Sequence, residues 1–209
     1  MSDLPKHVKV VIIGAGIVGA STAYHLAQSG CTDVLVVDQG PLFDTGGSTS
    51  HAPGGVFQVN YSKTMTEFAR YTTQLYSGLE SDGLPAWYPV GSLEVAWSNE
   101  RLIDLRRKLG VARSWGVAAD LLSPQHANDL IPLLSSQIQG ALHVPSDGIA
   151  RAVRAVEAMA SDSESMGVEF VGNVVVTGFD IVDGRIRGLQ TSKGPIEAQQ
   201  ILIATGIWA

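Results

Sequence analysis

The sequence predicts an α/β fold built on a parallel sheet, and three features near its start carry that prediction. An apolar run, VVII at residues 10–13, leads directly into a glycine-rich turn, GAGIVG at residues 14–19. Alanines at helical spacing follow, and a second apolar run, Val34–Val37, ends at Asp38. Short β-branched runs are typical of strands buried on both faces, so this order of elements indicates a Rossmann-like domain.

The glycine turn has the spacing of a dinucleotide-binding site. Gly14 permits the tight turn out of the strand, Gly16 leaves the backbone bare for a pyrophosphate, and Gly19 lets the helix pack closely on the sheet. The start of the helix then offers free N–H groups and a positive dipole end to phosphates. Asp38 follows about 20 residues later, where an acid can accept hydrogen bonds from a ribose diol. This pattern leaves NAD, NADP and FAD open as the dinucleotide.

The remaining elements follow from hydrophobic periodicity and from turn residues. They are, in order, a long loop (39–62), a helix (64–79), a strand (87–97) interrupted at Gly91-Ser92, a charged helix (100–115), a short helix opened by Pro124, a strand (140–144), a helix capped by residues 146–148 with Ile149 on its apolar stripe, a strand (168–171), a hairpin around Asp183-Gly184, a short strand at Ile196 and a final buried strand (201–204).

The pattern of residues 84–145 differs from that of the flanking segments. Flanking residues 1–83 and 146–209 carry the strands and helices of the Rossmann-like domain. We therefore expect that domain to be interrupted by part of a second, substrate-covering lobe.

Composition excludes several classes of protein. The chain has 209 residues, 45% hydrophobic and 16% charged, with a net charge of −6, which argues against nucleic acid or an anionic membrane as partner. No apolar run approaches a membrane span, and the single cysteine, Cys31, excludes an internal disulfide. The first strand starts too early for a signal or transit peptide, so we expect a cytoplasmic protein. No pair of histidines or acids has the spacing of metal ligands.

A glycine-rich loop narrows the choice of dinucleotide. Residues 46–55 read GGSTSHAPGG, with small and hydroxyl side chains ahead of His51. Such a loop can wrap a large, flat cofactor with exposed N–H groups. Together with VVDQGP, HVPSDG and the closing ILIATGIW, it resembles the D-amino-acid-oxidase-like FAD-dependent amine oxidoreductases, most closely the branch of dimethylglycine oxidase and the sarcosine and dimethylglycine dehydrogenases.

The resemblance implies an FAD-binding domain with part of a substrate lobe, and an enzyme that oxidises the C–N bond of N-methylated glycine-type amines. Its partners would be a small amine substrate and either oxygen or an electron-transfer protein. Enzymes of this family are longer, so we expect an N-terminal portion that by itself binds FAD weakly and lacks activity.

The resemblance also assigns residues to the cofactor. It places Ile17 and Val18 at the pyrophosphate, Asp38 and Gln39 at the ribose, Ser48, Thr49, Ser50 and Gly55 around the flavin, Val176 at the adenine, and Thr205 and Gly206 in a late turn near the cofactor. His51 matches the histidine that bonds covalently to the flavin 8α-methyl group. No residue of this chain is assigned as the catalytic base.

Two other functions stay open at this point. One is an NAD-dependent dehydrogenase, against which the length of the 39–62 loop argues. The other is a non-catalytic nucleotide-binding chain that works only with a partner chain.

Overall fold

The computed structural model describes residues 4–43 and 46–208. Within them the helices are α1 (Ile17–Gln28), α2 (Ser48–His51), α3 (Lys63–Tyr76), α4 (Asn99–Ser114), α5 (Pro124–Leu130) and α6 (Ala152–Ser165). The strands are β1 (His7–Ile13), β2 (Val34–Val37), β3 (Gly55–Val56), β4 (Glu80–Ser81), β5 (Leu84–Pro85), β6 (Trp87–Tyr88), β7 (Ser92–Ala96), β8 (Asp120–Leu122), β9 (Gly140–Val144), β10 (Gly148–Ala150), β11 (Glu169–Val171), β12 (Val176–Val182), β13 (Arg185–Thr191) and β14 (Gly194–Ile203).

The chain divides into two compact units. The first takes in the residues up to Ala52, Leu79–Leu84 and the residues from Ala152 onward, and the second takes in Pro53–Gly78 and Pro85–Arg151. The sequence pattern predicts that residues 53–78 belong to the first segment of the nucleotide-binding domain. The structure groups them, α3 included, with the intervening block.

A six-stranded sheet organises the first unit, in the order β11-β2-β1-β14-β13-β12. Strands β11, β2, β1 and β14 run parallel to one another, while β13 runs antiparallel to both of its neighbours, β14 and β12. In β2, Val34 and Val36 pack with α1 and α6 on one face, and Leu35 and Val37 pack on the other. Burial on both faces explains the unbroken apolar runs and confirms the predicted α/β class.

Glycine ends α1, and the predicted hairpin turn at Asp183-Gly184 is confirmed. Gly30 follows α1 with a φ of +86° and donates to the carbonyl of Ala27, and Cys31 donates to Leu26, as in a glycine-terminated helix. Asp183 and Gly184 both have positive φ between β12 and β13. Positive φ at both central residues is the requirement of a type I′ hairpin turn.

Two small antiparallel sheets and three helices, α3 to α5, form the second unit. One sheet has the order β3-β10-β6 and the other has the order β7-β9-β8. Leu105 of α4 packs with Leu142 and Val144 of β9 in an apolar cluster. The interruption predicted at Gly91 separates β6 from β7, which belong to different sheets.

A buried carboxylate lies inside the second unit. Asp147 is 1% exposed. Its two oxygens accept hydrogen bonds from the backbone N–H of Gln58 at 2.9 Å and from the hydroxyl of Ser92 at 2.6 Å. The Gln58 side chain also donates to the Ser146 hydroxyl at 2.8 Å. Asp147 therefore holds together three stretches of chain that are far apart in the sequence.

Three sequence predictions are wrong in detail. Residues 146–148 do not cap a helix, because Asp147 is held by Gln58 and Ser92; residues 148–150 form β10 instead, with Ile149 in that strand. The 39–62 loop contains α2 and β3, which are too short to produce a periodic pattern. The two strands expected at Ile196 and at residues 201–204 are one long strand, β14.

Across residues 4–43 and 46–208, no helix is long and apolar enough to cross a membrane. The same residues contain no group of three or more His, Cys, Asp or Glu side chains that could hold a metal ion.

Candidate functional site

The glycine turn after β1 is packed so closely that two of its glycines are sterically required. Gly14 has a φ of +109°, and an added Cβ would lie 2.5 Å from the carbonyl oxygen of Ala204. A Cβ on Gly19 would lie 1.9 Å from the carbonyl oxygen of Gly14. Both contacts are far inside normal van der Waals distance, so larger residues would force the turn apart.

Asp38 ties the end of β2 to this turn. One carboxylate oxygen accepts from the backbone N–H of Ala15 at 2.8 Å, and the other accepts from Gly40 at 3.0 Å. Each oxygen of a carboxylate offers two lone-pair sites, so both retain capacity for a ligand hydroxyl. Asp38 is half-buried and lines a cavity beside the glycine turn.

The start of α1 is capped by a side chain from a distant loop. Gly16 is the N-cap residue and has no side chain to offer. The hydroxyl oxygen of Thr49 accepts instead from the backbone N–H of Ile17 at 3.0 Å. Within the part of the chain that the structure describes, the N–H groups of Gly16 and Val18 have no acceptor. A helix start with such free groups favours an anion.

One large cavity, of about 600 Å³, opens beside these groups in the first unit. That volume falls in the range typical of small-molecule and cofactor sites, roughly 300–1,000 Å³. Its lining comprises Ile13, Gly14, Gly16, Ile17, Val18, Val37, Asp38, Gln39, Gly40, Pro41, Gly46, Gly47, Ser48, Thr49, Val174, Val175, Val176, Phe179, Ile203, Ala204, Thr205, Gly206, Ile207 and Trp208.

The cavity wall contains a buried polar atom that needs a partner. The hydroxyl oxygen of Thr205 is inaccessible to solvent and makes no hydrogen bond within the described residues. A buried hydroxyl without a partner is costly, and a ligand that hydrogen-bonds to it removes that cost. Bare glycine backbone, free amides, the Asp38 carboxylate and this hydroxyl together fit a dinucleotide, whose diphosphate is anionic and whose ribose carries hydroxyl groups.

His51 ends the short helix α2 and is exposed. Its Nδ1 lies 3.1 Å from the carbonyl oxygen of Gly47 and 3.1 Å from the hydroxyl of Ser50, which itself donates to Gly47. A carbonyl can only accept, so Nδ1 carries the proton in this arrangement. The neutral ring then has its free lone pair on Nε2.

Most of the residues assigned from the sequence lie on this one cavity. Those lining it are Gly14, Gly16, Ile17, Val18, Asp38, Gln39, Ser48, Thr49, Val176, Thr205 and Gly206. Gly19, Ser50 and His51 lie elsewhere in the first unit, and Gly55 lies in the second unit.

Sequence reasoning missed the apolar wall of the cavity. That wall includes Val175, Phe179 and Trp208, none of which was assigned a role. An apolar residue in a hairpin or at a strand end is ambiguous between core and site until the strands are paired. The partial exposure of Val175 and Phe179, 45% and 40%, distinguishes them from core residues.

The fold and site define a dinucleotide-binding unit of the Rossmann type. The chain belongs to the family of FAD dependent oxidoreductases, whose model matches residues 9–209. The resemblance inferred from the loop and strand motifs is confirmed. Because that family uses FAD, the match favours FAD among the dinucleotides that the glycine spacing left open.

Curated relatives match almost the whole chain. It is 34% identical over 209 residues to the mitochondrial pyruvate dehydrogenase phosphatase regulatory subunit of Mus musculus, covering 99% of this chain and 24% of that protein. Over 208 residues it is 34% identical to the formaldehyde-forming 4-methylaminobutanoate oxidase of Paenarthrobacter nicotinovorans, covering 98% and 25%. Human mitochondrial sarcosine dehydrogenase is 30% identical over 215 residues, with 99% and 23% covered. The chain thus spans about a quarter of the length of these relatives.

The fold of the chain also matches that of a solved structure. L-proline dehydrogenase from P. horikoshii superposes with a TM-score of 0.88 at 26% identity, over 98% of this chain and 54% of that one.

Proposed function

We propose that the chain is the FAD-binding portion of an enzyme that oxidises the C–N bond of an N-methylated, glycine-type amine such as dimethylglycine or sarcosine. The observation that carries this proposal is the single cavity shared by the glycine turn, Asp38 and the loop that leads to His51. Relatives named as a methylaminobutanoate oxidase and a sarcosine dehydrogenase support the substrate class. When bound, FAD supplies the acceptor for the hydride that leaves the amine carbon.

The proposed contacts divide by the chemistry of the cofactor. They are Gly16, Ile17 and Val18 at the pyrophosphate, with Gly14 and Gly19 permitting the turn and the close packing of the helix that form this site, Asp38 and Gln39 at the ribose, Val176 at the adenine, Ser48, Thr49, Ser50 and Gly55 in the loop around the flavin, and Thr205 and Gly206 in the late turn. Free amides at the start of α1 would bind the anionic part, and the remaining lone pairs of Asp38 would accept from the ribose hydroxyls.

Covalent attachment of FAD through His51 is part of the proposal. Attachment would form a bond between His51 Nε2 and the flavin 8α carbon, with a proton lost from that carbon and its two electrons passed through the flavin to oxygen. It requires a nitrogen with a free lone pair, and the contact of Nδ1 with the Gly47 carbonyl leaves that lone pair on Nε2. Ser50 supports the same ring orientation because its hydroxyl also lies 3.1 Å from Nδ1. The exposed position of His51 leaves its ring accessible.

Residues 84–145 are proposed to belong to the lobe that binds the amine, within the second unit. Oxygen or an electron-transfer protein is proposed as the final acceptor. The cytoplasmic location expected from the sequence stays a prediction, and the names of several relatives place those proteins in mitochondria.

The intact mass of the acid-denatured protein, expressed with flavin available, tests covalent attachment. We expect added mass corresponding to FAD in the wild-type chain and none in His51→Ala. His126→Ala is the matched control, because His126 is also exposed but lies in α5 of the second unit. Added mass that persists in His51→Ala would refute attachment at His51, and FAD that binds but is released on denaturation would leave only a noncovalent site.

A non-catalytic, regulatory role is the second candidate. It is favoured by one observation, the 34% identity to a protein named as a regulatory subunit of pyruvate dehydrogenase phosphatase. Its test is whether the purified chain changes the rate of such a phosphatase. A changed rate would favour the regulatory role, whereas FAD attachment with an unchanged rate would favour the enzyme.

A further inference from the structure

One face of the small sheet β3-β10-β6 presents aromatic and apolar side chains to solvent. Ile149 of β10 pairs directly with Tyr88 of β6 and with Gly55 of β3, so the Cβ directions of all three lie on the same face. A Cβ at Gly55 would lie 3.2 Å from the ring of Phe57, which places that ring on this face as well. Phe57 is 65% exposed and Ile149 is 42% exposed. Neither side chain therefore belongs to the core of the second unit.

A cation lies at one end of this face. The guanidinium carbon of Arg151 lies 5.8 Å from the centroid of the Tyr88 ring, within the range of a cation–π contact. The backbone N–H of Arg151 donates to the carbonyl of Ala86 at 2.8 Å, which holds the residue beside β6. Within the described part of the chain, the guanidinium donates to no acceptor and pairs with no carboxylate. Its planar fork of N–H donors is thus held in place and available to a ligand.

The chemistry of the two ends suits the two ends of one small molecule. An arginine fork binds a carboxylate through two parallel hydrogen bonds. The face of an exposed aromatic ring, which Phe57 supplies, attracts a methylated ammonium group. Because β3 and β6 flank β10, the outer strands are roughly 10 Å apart. That span suits a small zwitterion better than a peptide or a nucleotide.

We infer that this surface binds the amine substrate, with its carboxylate on Arg151 and its N-methyl groups against Phe57. The inference rests on the proposed function, because glycine-type amines carry a carboxylate and, at neutral pH, a methylated ammonium group. It adds to the proposed amine-binding lobe residues that lie outside 84–145. This surface, the aromatic face, comprises Gly55, Phe57, Tyr88, Ile149 and Arg151.

Titration of the purified chain with two amines, followed by NMR, tests the inference. N,N-dimethylglycine carries the carboxylate, whereas N,N-dimethylethylamine has similar size and the same methyl groups without it. Arg151→Met keeps the length of the side chain and removes the guanidinium. We expect this variant to bind dimethylglycine roughly tenfold to a hundredfold more weakly, as for a lost hydrogen bond to a charged group. It should bind dimethylethylamine as the wild-type chain does.

Phe57→Leu tests the other end of the aromatic face. Loss of the ring should weaken the binding of both amines about twofold to fivefold, the size of a cation–π contact at an exposed site. Arg106→Met is the matched control, because Arg106 is an exposed arginine of α4 in the same unit. It should bind both amines as wild type does. Circular dichroism of each variant without ligand checks that the fold is retained.

Several outcomes would overturn the inference. They are a wild-type chain that binds neither amine, an Arg151→Met variant that binds dimethylglycine as wild type does or loses both amines equally, and a Phe57→Leu variant with unchanged affinities. An equal loss in Arg106→Met would show that only net charge matters. FAD binding by the same preparation is measured in parallel. If FAD binds in any of these cases, the proposed function stands and the amine site lies elsewhere, whereas a chain that binds no FAD overturns the proposed function itself.

Discussion

The carboxylates of Asp38 and Asp147 each accept two hydrogen bonds, but they occupy different surroundings. Asp38 in the first unit accepts from two backbone N–H groups and lines a large cavity. Asp147 in the second unit accepts from Gln58 and Ser92 and is buried. A carboxylate that both fastens the chain and faces a cavity can serve a ligand, whereas one enclosed by its donors can only serve the fold. Substitutions at the two carboxylates distinguish these two roles.

Removal of the Asp147 carboxylate should have the largest effect. In Asp147→Ala the N–H of buried Gln58 and the hydroxyl of Ser92 lose their acceptors, so we expect the free energy of unfolding to fall by about 3 kcal/mol. Denaturant unfolding measures the change. Asp162→Ala, at an exposed position, is the control and should stay within about 0.5 kcal/mol of wild type. A similar small change in Asp147→Ala would show that the buried carboxylate does not hold the second unit together.

Asp38→Ala should separate stability from binding. Ala15 is buried and its N–H would lose its acceptor, whereas Gly40 is partly exposed and water can replace the carboxylate there, so we expect a loss of about 1.5 kcal/mol in the free energy of unfolding. Affinity for FAD should fall roughly tenfold, since one acceptor for the ribose hydroxyls is gone. Unfolding without ligand and titration with FAD measure the two quantities. Unchanged FAD affinity would remove Asp38 from the proposed site.

The pH dependence of stability should show the smallest effect and arise from Asp147. Burial raises the pKa of its carboxyl, and the hydrogen bonds from Ser92 and Gln58 and the positive charge of Lys108 offset that only in part. A raised pKa means that the folded state holds the proton more tightly than the unfolded state. The resulting stabilisation is therefore complete below the ordinary value of 3.8 and is lost as the pH rises through the raised value.

Asp147→Asn tests this sign, because an amide does not titrate in that range. As the pH rises from below 3.8 toward neutrality, wild type should lose stability relative to Asp147→Asn. Denaturant unfolding at a series of pH values measures the difference. A difference that is constant with pH, or that grows in the opposite direction, contradicts the assignment.

Local signals predicted the centre of the first unit well. The apolar run at residues 10–13 and the run Val34–Val37 form adjacent parallel strands. Strands buried on both faces have unbroken apolar sequences, so they can be predicted without knowledge of distant residues. The turn at Asp183-Gly184 could also be predicted from the local sequence. A turn with positive φ at two successive positions accepts few residue types, and Asp-Gly is a favoured pair.

Contacts between distant residues account for what could not be predicted. Asp147 precedes a helix in the sequence, and its side chain could cap that helix. Instead its oxygens accept hydrogen bonds from Gln58 and Ser92, which lie 89 and 55 positions away in the sequence. The cap that Thr49 supplies to Ile17 is hidden for the same reason. Most of the assigned residues on the cavity could be predicted through motifs, whereas its apolar wall depends on how β12 and β14 each pair with β13 in the sheet.

The pairing of β1 with β14 delays the completion of the central sheet during synthesis. Ile13 pairs with Ile203, so 190 residues must be added before the first strand meets one of its two neighbours. At a translation rate of 5–20 residues per second, that interval lasts roughly 10 to 40 s. Throughout it, one edge of an apolar strand lacks its partner, and sheets with such long-range pairing also fold slowly. The unpaired edge of β1 is therefore open to aggregation for longer than an edge that a neighbour in sequence would cover.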